Sequence, residues 1–137
     1  MFSANKILSE DVYFVLKPPD EYRTGFEIFL MEFFFTTLFT SIIFFVKYSL
    51  APTTDGTLKT FMVVFALYAC IGCIGKFTNA CLNPMIGFPA LTYYAIVSPP
   101  GTVTYIGYLP SYVIGPISGG IFASLITKFH LMIEDKK

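Results

Sequence analysis

Few residues in this chain have the type and setting to do chemistry, and Glu32 is foremost among them. It lies well inside an apolar run that begins at Phe26. A carboxylate within a membrane span is costly and is a functional candidate by default; the bland alternative places it near the lipid headgroups, as for Glu27. Cys70-Ile-Gly-Cys73 spells C-x-x-C, a redox or metal motif in soluble proteins. Inside an apolar helix thiolates are disfavoured and exchange partners have no access. The pair therefore reads as close helix packing, on one face with Ala66 and Ala69. Cys70, Cys73 and Cys81 all have apolar neighbours and imply no secreted disulfide framework. His130 reads as an interfacial residue without a partner. No Ser/His/Asp set, metal-ligand spacing or phosphate-cradling loop is present, so neither an enzyme nor a cofactor or metal is expected.

The elements that carry these residues belong in lipid. The chain has 137 residues, 55% of them hydrophobic and 13% charged, with a mean hydropathy of +0.67. An ordinary soluble domain carries roughly 25% charge, and so short a chain has no water-soluble core large enough for this much apolar surface. Nine basic and nine acidic residues balance, so nothing points to nucleic acid or to acidic partners. The first residues show no apolar run of signal-peptide length and no Arg-rich, acid-poor character, and are expected to belong to the mature protein.

Three parts follow: a polar arm over 1–25, a membrane domain over 26–131 and a polar tail over 132–137. Within the arm, 7–16 suits a short helix or strand that Pro18-Pro19 ends, and the arm is expected to dock. The first span, 26–46, has the ~20 residues that a bilayer requires. A turn-forming linker with Pro52, Asp55 and Gly56 follows. The second span, 60–75, covers about 24 Å between Lys59 and Lys76, which can snorkel. It is rich in small residues, with Gly72 and Gly75 available for helix packing.

From Phe77 to Thr127 there is no charged residue, yet Asn83-Pro84, Pro89 and Ser98-Pro99-Pro100-Gly101 interrupt the run. Asn83 is a good N-cap, and Pro84 suits the first helical turn, where its missing N–H costs nothing. A helix from 84 to about 97 is roughly 20 Å long, enough for half a bilayer. Non-helical backbone at that depth persists only where protein or a water-filled cavity surrounds it, so this segment is expected to be re-entrant. A last span over 105–127 leaves Lys128 and His130 outside. Gly115-x-x-x-Gly119, with Gly120, forms a packing notch, either for the second span or for another subunit.

In this order the pieces resemble one half of an aquaporin. Glu32, Thr36 and Phe39 match the E-x-x-x-T-x-x-F signature that opens each half. TNACLNPMIGFPAL is similar to the Asn-Pro-Ala loop and half-helix, and YVIGPISGGIFASLI is similar to the Gly-Pro-containing final helix of the C-terminal half. The resemblance covers roughly residues 26–130. It implies an all-α membrane protein with three transmembrane helices and one re-entrant half-helix. It also implies that Glu32 accepts hydrogen bonds from the loop backbone and that Asn83 caps the half-helix while offering N–H groups to passing solute, against the plainer reading of a cap alone. Met85 stands where the family has Ala, and Ile86 stands where it has the Arg of the selectivity constriction. The spacing to Pro89 and Ala90 is one residue short. These departures favour a retired pore, with Asn83, Pro84, Met85 and Ile86 at the pore-like positions.

A family pore needs two halves inserted in opposite directions, and this chain supplies one. Five lysines (47, 59, 128, 136 and 137) fall on the linker side. Lys6, Lys17, Arg23 and Lys76 fall on the other, a balance that permits dual insertion. The leading expectation is a non-enzymatic structural or accessory subunit of a larger membrane complex, with a mitochondrial inner-membrane respiratory complex as its setting. The alternative is a water or small-solute channel formed with a second, inverted half. Its partners are thus the lipid bilayer and other membrane subunits.

Overall fold

The computed structural model describes Leu16 and residues 24–48, 55–97 and 105–134, and every element among them is helical. They are α1 (Gly25–Tyr48), α2 (Gly56–Thr78), α3 (Pro84–Val97), a 3-10 turn (Tyr105–Tyr108) and α4 (Leu109–Glu134). Three helical segments are long and apolar enough to cross a membrane: Gly25–Tyr48, Gly56–Thr78 and Tyr105–Glu134. The short helix or strand expected over 7–16 falls, except for Leu16, outside the described residues, as does the end of the tail beyond Glu134.

Local sequence chemistry sets most helix ends. Thr24 and Glu27 form a reciprocal capping box: the Thr24 N–H donates to Glu27 Oε2 at 3.1 Å, and the Glu27 N–H donates to Thr24 Oγ1 at 3.3 Å. Asp55 caps α2 by accepting from the Thr57 N–H at 2.8 Å. Asn79 ends α2 in the left-handed region (φ 61°), its N–H donating to the Gly75 carbonyl. Asn83 caps α3, with Oδ1 accepting from the Met85 N–H at 2.9 Å, and Pro84 takes the first helical position as expected. The spans extend past their expected limits. The second runs from Gly56 to Thr78, and the last continues through Lys128 and His130 into the tail as far as Glu134. An uncharged stretch marks the apolar core of a helix, whereas caps lying outside it decide where the helix stops.

α1 and α4 run parallel and in close contact. Ser111 Oγ donates to the Gly25 carbonyl at 2.6 Å. One turn on, Gly115 lies against Phe29 and Glu32, and after another, Gly119 lies against Phe33. α2 runs the opposite way, with Cys70 beside Phe35 and Thr78 beside Glu32. Two small cores flank the turn between α2 and α3. Leu16, Ile28, Cys81, Leu91 and Tyr112 form one, and Cys70, Ile74 and Leu82 form the other. Large apolar side chains such as Phe34, Phe65, Tyr68, Ile121 and Leu125 point outward. Polar groups lie inside and large apolar ones outside, which fits a protein solvated by lipid.

Candidate functional site

Glu32 sits in the second turn of α1, wholly buried. Its Oε1 accepts hydrogen bonds from the Thr78 hydroxyl at 2.6 Å and the Cys81 N–H at 3.0 Å. Its Oε2 accepts from the Leu82 N–H at 2.7 Å. The Thr78 hydroxyl in turn accepts from the Ala80 N–H at 3.0 Å, and the Thr78 carbonyl accepts from the Tyr112 hydroxyl at 2.7 Å. One carboxylate thus ties α1 to the end of α2 and the turn behind it, while Tyr112 brings in α4. Glu32 is in no ion pair among the described residues; backbone dipoles and one hydroxyl satisfy it.

The turn is shaped for that acceptor. Asn79, Ala80 and Leu82 all have positive φ (61°, 49° and 50°). Each left-handed non-glycine residue costs on the order of 1–2 kcal/mol, and the strain persists because the surroundings over-determine it. Left-handed residues within a turn gather successive N–H groups into a concave nest, and here the acceptor in it is the Glu32 carboxyl group. Cys81 and Leu82 then project into opposite cores, which pins the turn from both sides.

The same turn launches α3. The Asn83 carbonyl accepts from the Ile86 and Gly87 N–H groups and from Cys81 Sγ. Gly87 and Leu91, one turn apart, are buried against α4. A Cβ on Gly87 would lie 2.8 Å from the Tyr112 carbonyl oxygen. Pro116, four residues beyond Tyr112, has no N–H to donate to that carbonyl, so α3 approaches α4 where its regular helical hydrogen bond is missing. The start of α3 is otherwise open. Asn83 is exposed, Met85 is 78% exposed and Ile86 is 47% exposed.

The expected packing glycines divide. A Cβ on Gly115 would meet Glu32 Cβ at 3.1 Å and the Phe29 carbonyl at 3.2 Å, and one on Gly119 would meet the Phe33 carbonyl at 2.5 Å. The notch therefore receives the first span, not the second. Gly72 and Gly120 have nothing within 4 Å, and Gly75 meets only Ile71 of its own helix. α2 buries a single stripe, Cys70, Ile74 and Thr78, and at about 100° per residue Gly72 and Gly75 lie off it. Gly120 is turned away from α1 by the same rotation. Cys70 is buried with Sγ 3.9 Å from the Phe35 carbonyl, whereas Cys73 and Ala69 are exposed, so C-x-x-C is not one packed face. His130 has a partner after all: Glu134 lies one turn on at 3.6 Å, on the surface.

Three residues of the site carry no signal that the sequence reading used: Thr78, Gly87 and Tyr112. A tyrosine one turn before a proline inside an apolar helix, and a glycine one turn after Asn83, are the features that could have marked two of them. No protein-family model, curated protein or solved structure matches this chain.

Proposed function

We propose that the chain is a non-enzymatic structural subunit of a larger membrane assembly, built as one half of an aquaporin-like channel whose pore positions have been filled. The reading starts from α3. Its fourteen residues span about 21 Å, too short to cross a bilayer. It begins at the turn held by Glu32 and leads to the 3-10 turn and to the start of α4, where Ser111 meets Gly25. With the Tyr94 ring of α3 6.2 Å from that of Tyr105 in the 3-10 turn, a re-entrant path for α3 is the reading that these contacts support.

The observation that carries the proposal is the uncovered start of that half-helix. Asn83, Met85 and Ile86 form its open end, and a polar cap exposed at mid-membrane depth requires protein or water against it. Met85 and Ile86 present bulk where a pore needs room and a hydrogen-bond donor. Another membrane subunit covering this end satisfies the cap and uses the apolar side chains. A respiratory complex of the mitochondrial inner membrane is the setting proposed, because small accessory subunits of this build occur there.

A second reading rests on Asn83 itself. Its Oδ1 is committed to the Met85 N–H, while its amide N–H groups have no partner among the described residues and are available to a solute passing between this half and an inverted one. Stopped-flow osmotic shrinkage of liposomes containing the purified chain separates the two. The scaffold reading expects the permeability of empty liposomes. Water flux that falls on Asn83→Ala would overturn it in favour of the channel. A photo-crosslinker placed at Met85 in the native membrane is expected to capture one defined neighbouring subunit.

A further inference from the structure

We propose that the groove between α1 and α2 at the Tyr48–Gly56 end of the bundle binds one anionic phospholipid, its phosphate between Lys47 and Lys59 and an acyl chain between the helices. The groove has a volume of about 430 Å³ and is lined by Ile43, Val46, Val63 and Val64, by Thr60, whose hydroxyl donates to the Gly56 carbonyl, and by both lysines. Its shape follows from how α2 packs. On the stripe of α2 that faces α1, Cys70, Ile74 and Thr78 are buried, whereas Lys59, Val63 and Ala66 are half-buried. Contact is therefore close near Glu32 and loosens toward the Asp55 cap, leaving an apolar cleft open at the lysine end.

The charges at that end suit a phosphate. Among the described residues neither Lys47 nor Lys59 is in an ion pair; Lys47 Nζ rests 5.1 Å from the centroid of the Tyr48 ring. The nearest carboxylate in sequence, Asp55, is engaged as the cap of α2 through the Thr57 N–H. Two cations from two helices over an apolar cleft match an anionic head on a hydrocarbon chain, and basic pockets between transmembrane helices hold such headgroups. Lysine stems long enough to run along the apolar wall carry their ammonium groups to headgroup level. A neutral zwitterionic lipid would gain the cleft but not the charge match.

The test uses the purified full chain in a non-ionic detergent, with retained lipid read by native mass spectrometry. Phosphatidylglycerol and phosphatidylcholine are supplied in equal amounts, with glycerol phosphate as the soluble competitor. Wild type is expected to retain phosphatidylglycerol preferentially and to keep it against the competitor. Lys47→Gln and Lys59→Gln should each lower retention about fivefold, whereas Lys76→Gln, at the other end of α2, should leave it unchanged. Val63→Trp, which fills the cleft and keeps both charges, should also release the lipid. Equal retention of the two lipids would overturn the proposal, as would displacement by glycerol phosphate or indifference to the Lys47 and Lys59 changes. An equal loss on Lys76→Gln would do the same by reducing the effect to general surface charge. Should Val63→Trp fail to fold, as judged by helical circular dichroism, the Lys47 and Lys59 variants still decide the question.

Discussion

At the scale of single residues, the Glu32 carboxylate holds more of the site together than any other group. Glu32→Ala leaves the Thr78 hydroxyl and the Cys81 and Leu82 N–H groups without their acceptor. Each orphaned buried donor costs about 1–3 kcal/mol, so this variant should unfold at a markedly lower temperature in detergent. Glu32→Gln keeps one acceptor oxygen but turns an amide N–H₂ toward donors, and should fall in between. Thr36 supplies a contrast one turn along α1: its Oγ1 is buried and makes no hydrogen bond among the described residues. Thr36→Val removes an unsatisfied hydroxyl at nearly constant shape and should leave the midpoint unchanged or raise it. A clear drop would mean that the hydroxyl has a partner, such as a water molecule.

At the scale of elements, the α1–α4 contact depends on side chains that are absent. Gly119→Ala would push a methyl group to 2.5 Å from the Phe33 carbonyl, and overpacking of this kind costs about 1–3 kcal/mol. Gly72→Ala and Gly120→Ala meet open space and should change stability by no more than about 0.5 kcal/mol. Thermal unfolding of the three alanine variants side by side checks the difference. A comparable loss at Gly120 in the native membrane, but not in the purified chain, would mark the face used by a neighbouring subunit. The short helix reads differently from the spans. Its limits were visible from Asn83-Pro84 and from the proline cluster after Val97, because caps and prolines act locally. Its seat on α4 was not visible, because that seat depends on Gly87 lying close against the Tyr112 backbone, a contact between residues distant in sequence.

At the scale of the whole molecule, parallel α1 and α4 with α2 between them in sequence fix which ends share a side of the membrane. Single cysteines at Asp55 and Glu134, in a background with the three native cysteines replaced, should react with a membrane-impermeant maleimide from one side. A cysteine at Thr24 should react from the other. The proposed re-entrant path of α3 adds that Val97→Cys labels with Thr24→Cys. Labelling with Asp55→Cys instead would mean that α3 crosses, and the half-channel reading would fall with it.

Composition and length were enough to establish three apolar helices suited to a membrane, because transfer into lipid depends on the summed hydropathy of a local segment. The position of Glu32 within such a segment was enough to mark it as exceptional. Which face of each helix meets protein was left to the tertiary structure. In water a polar face and an apolar face distinguish outside from inside, but here lipid and protein interior are both apolar, so Cys70 and Cys73, or Gly119 and Gly120, look alike along the chain. Close approach of backbones and the hydrogen bonds of one buried carboxylate made the choice, and both arise only when helices distant in sequence come together.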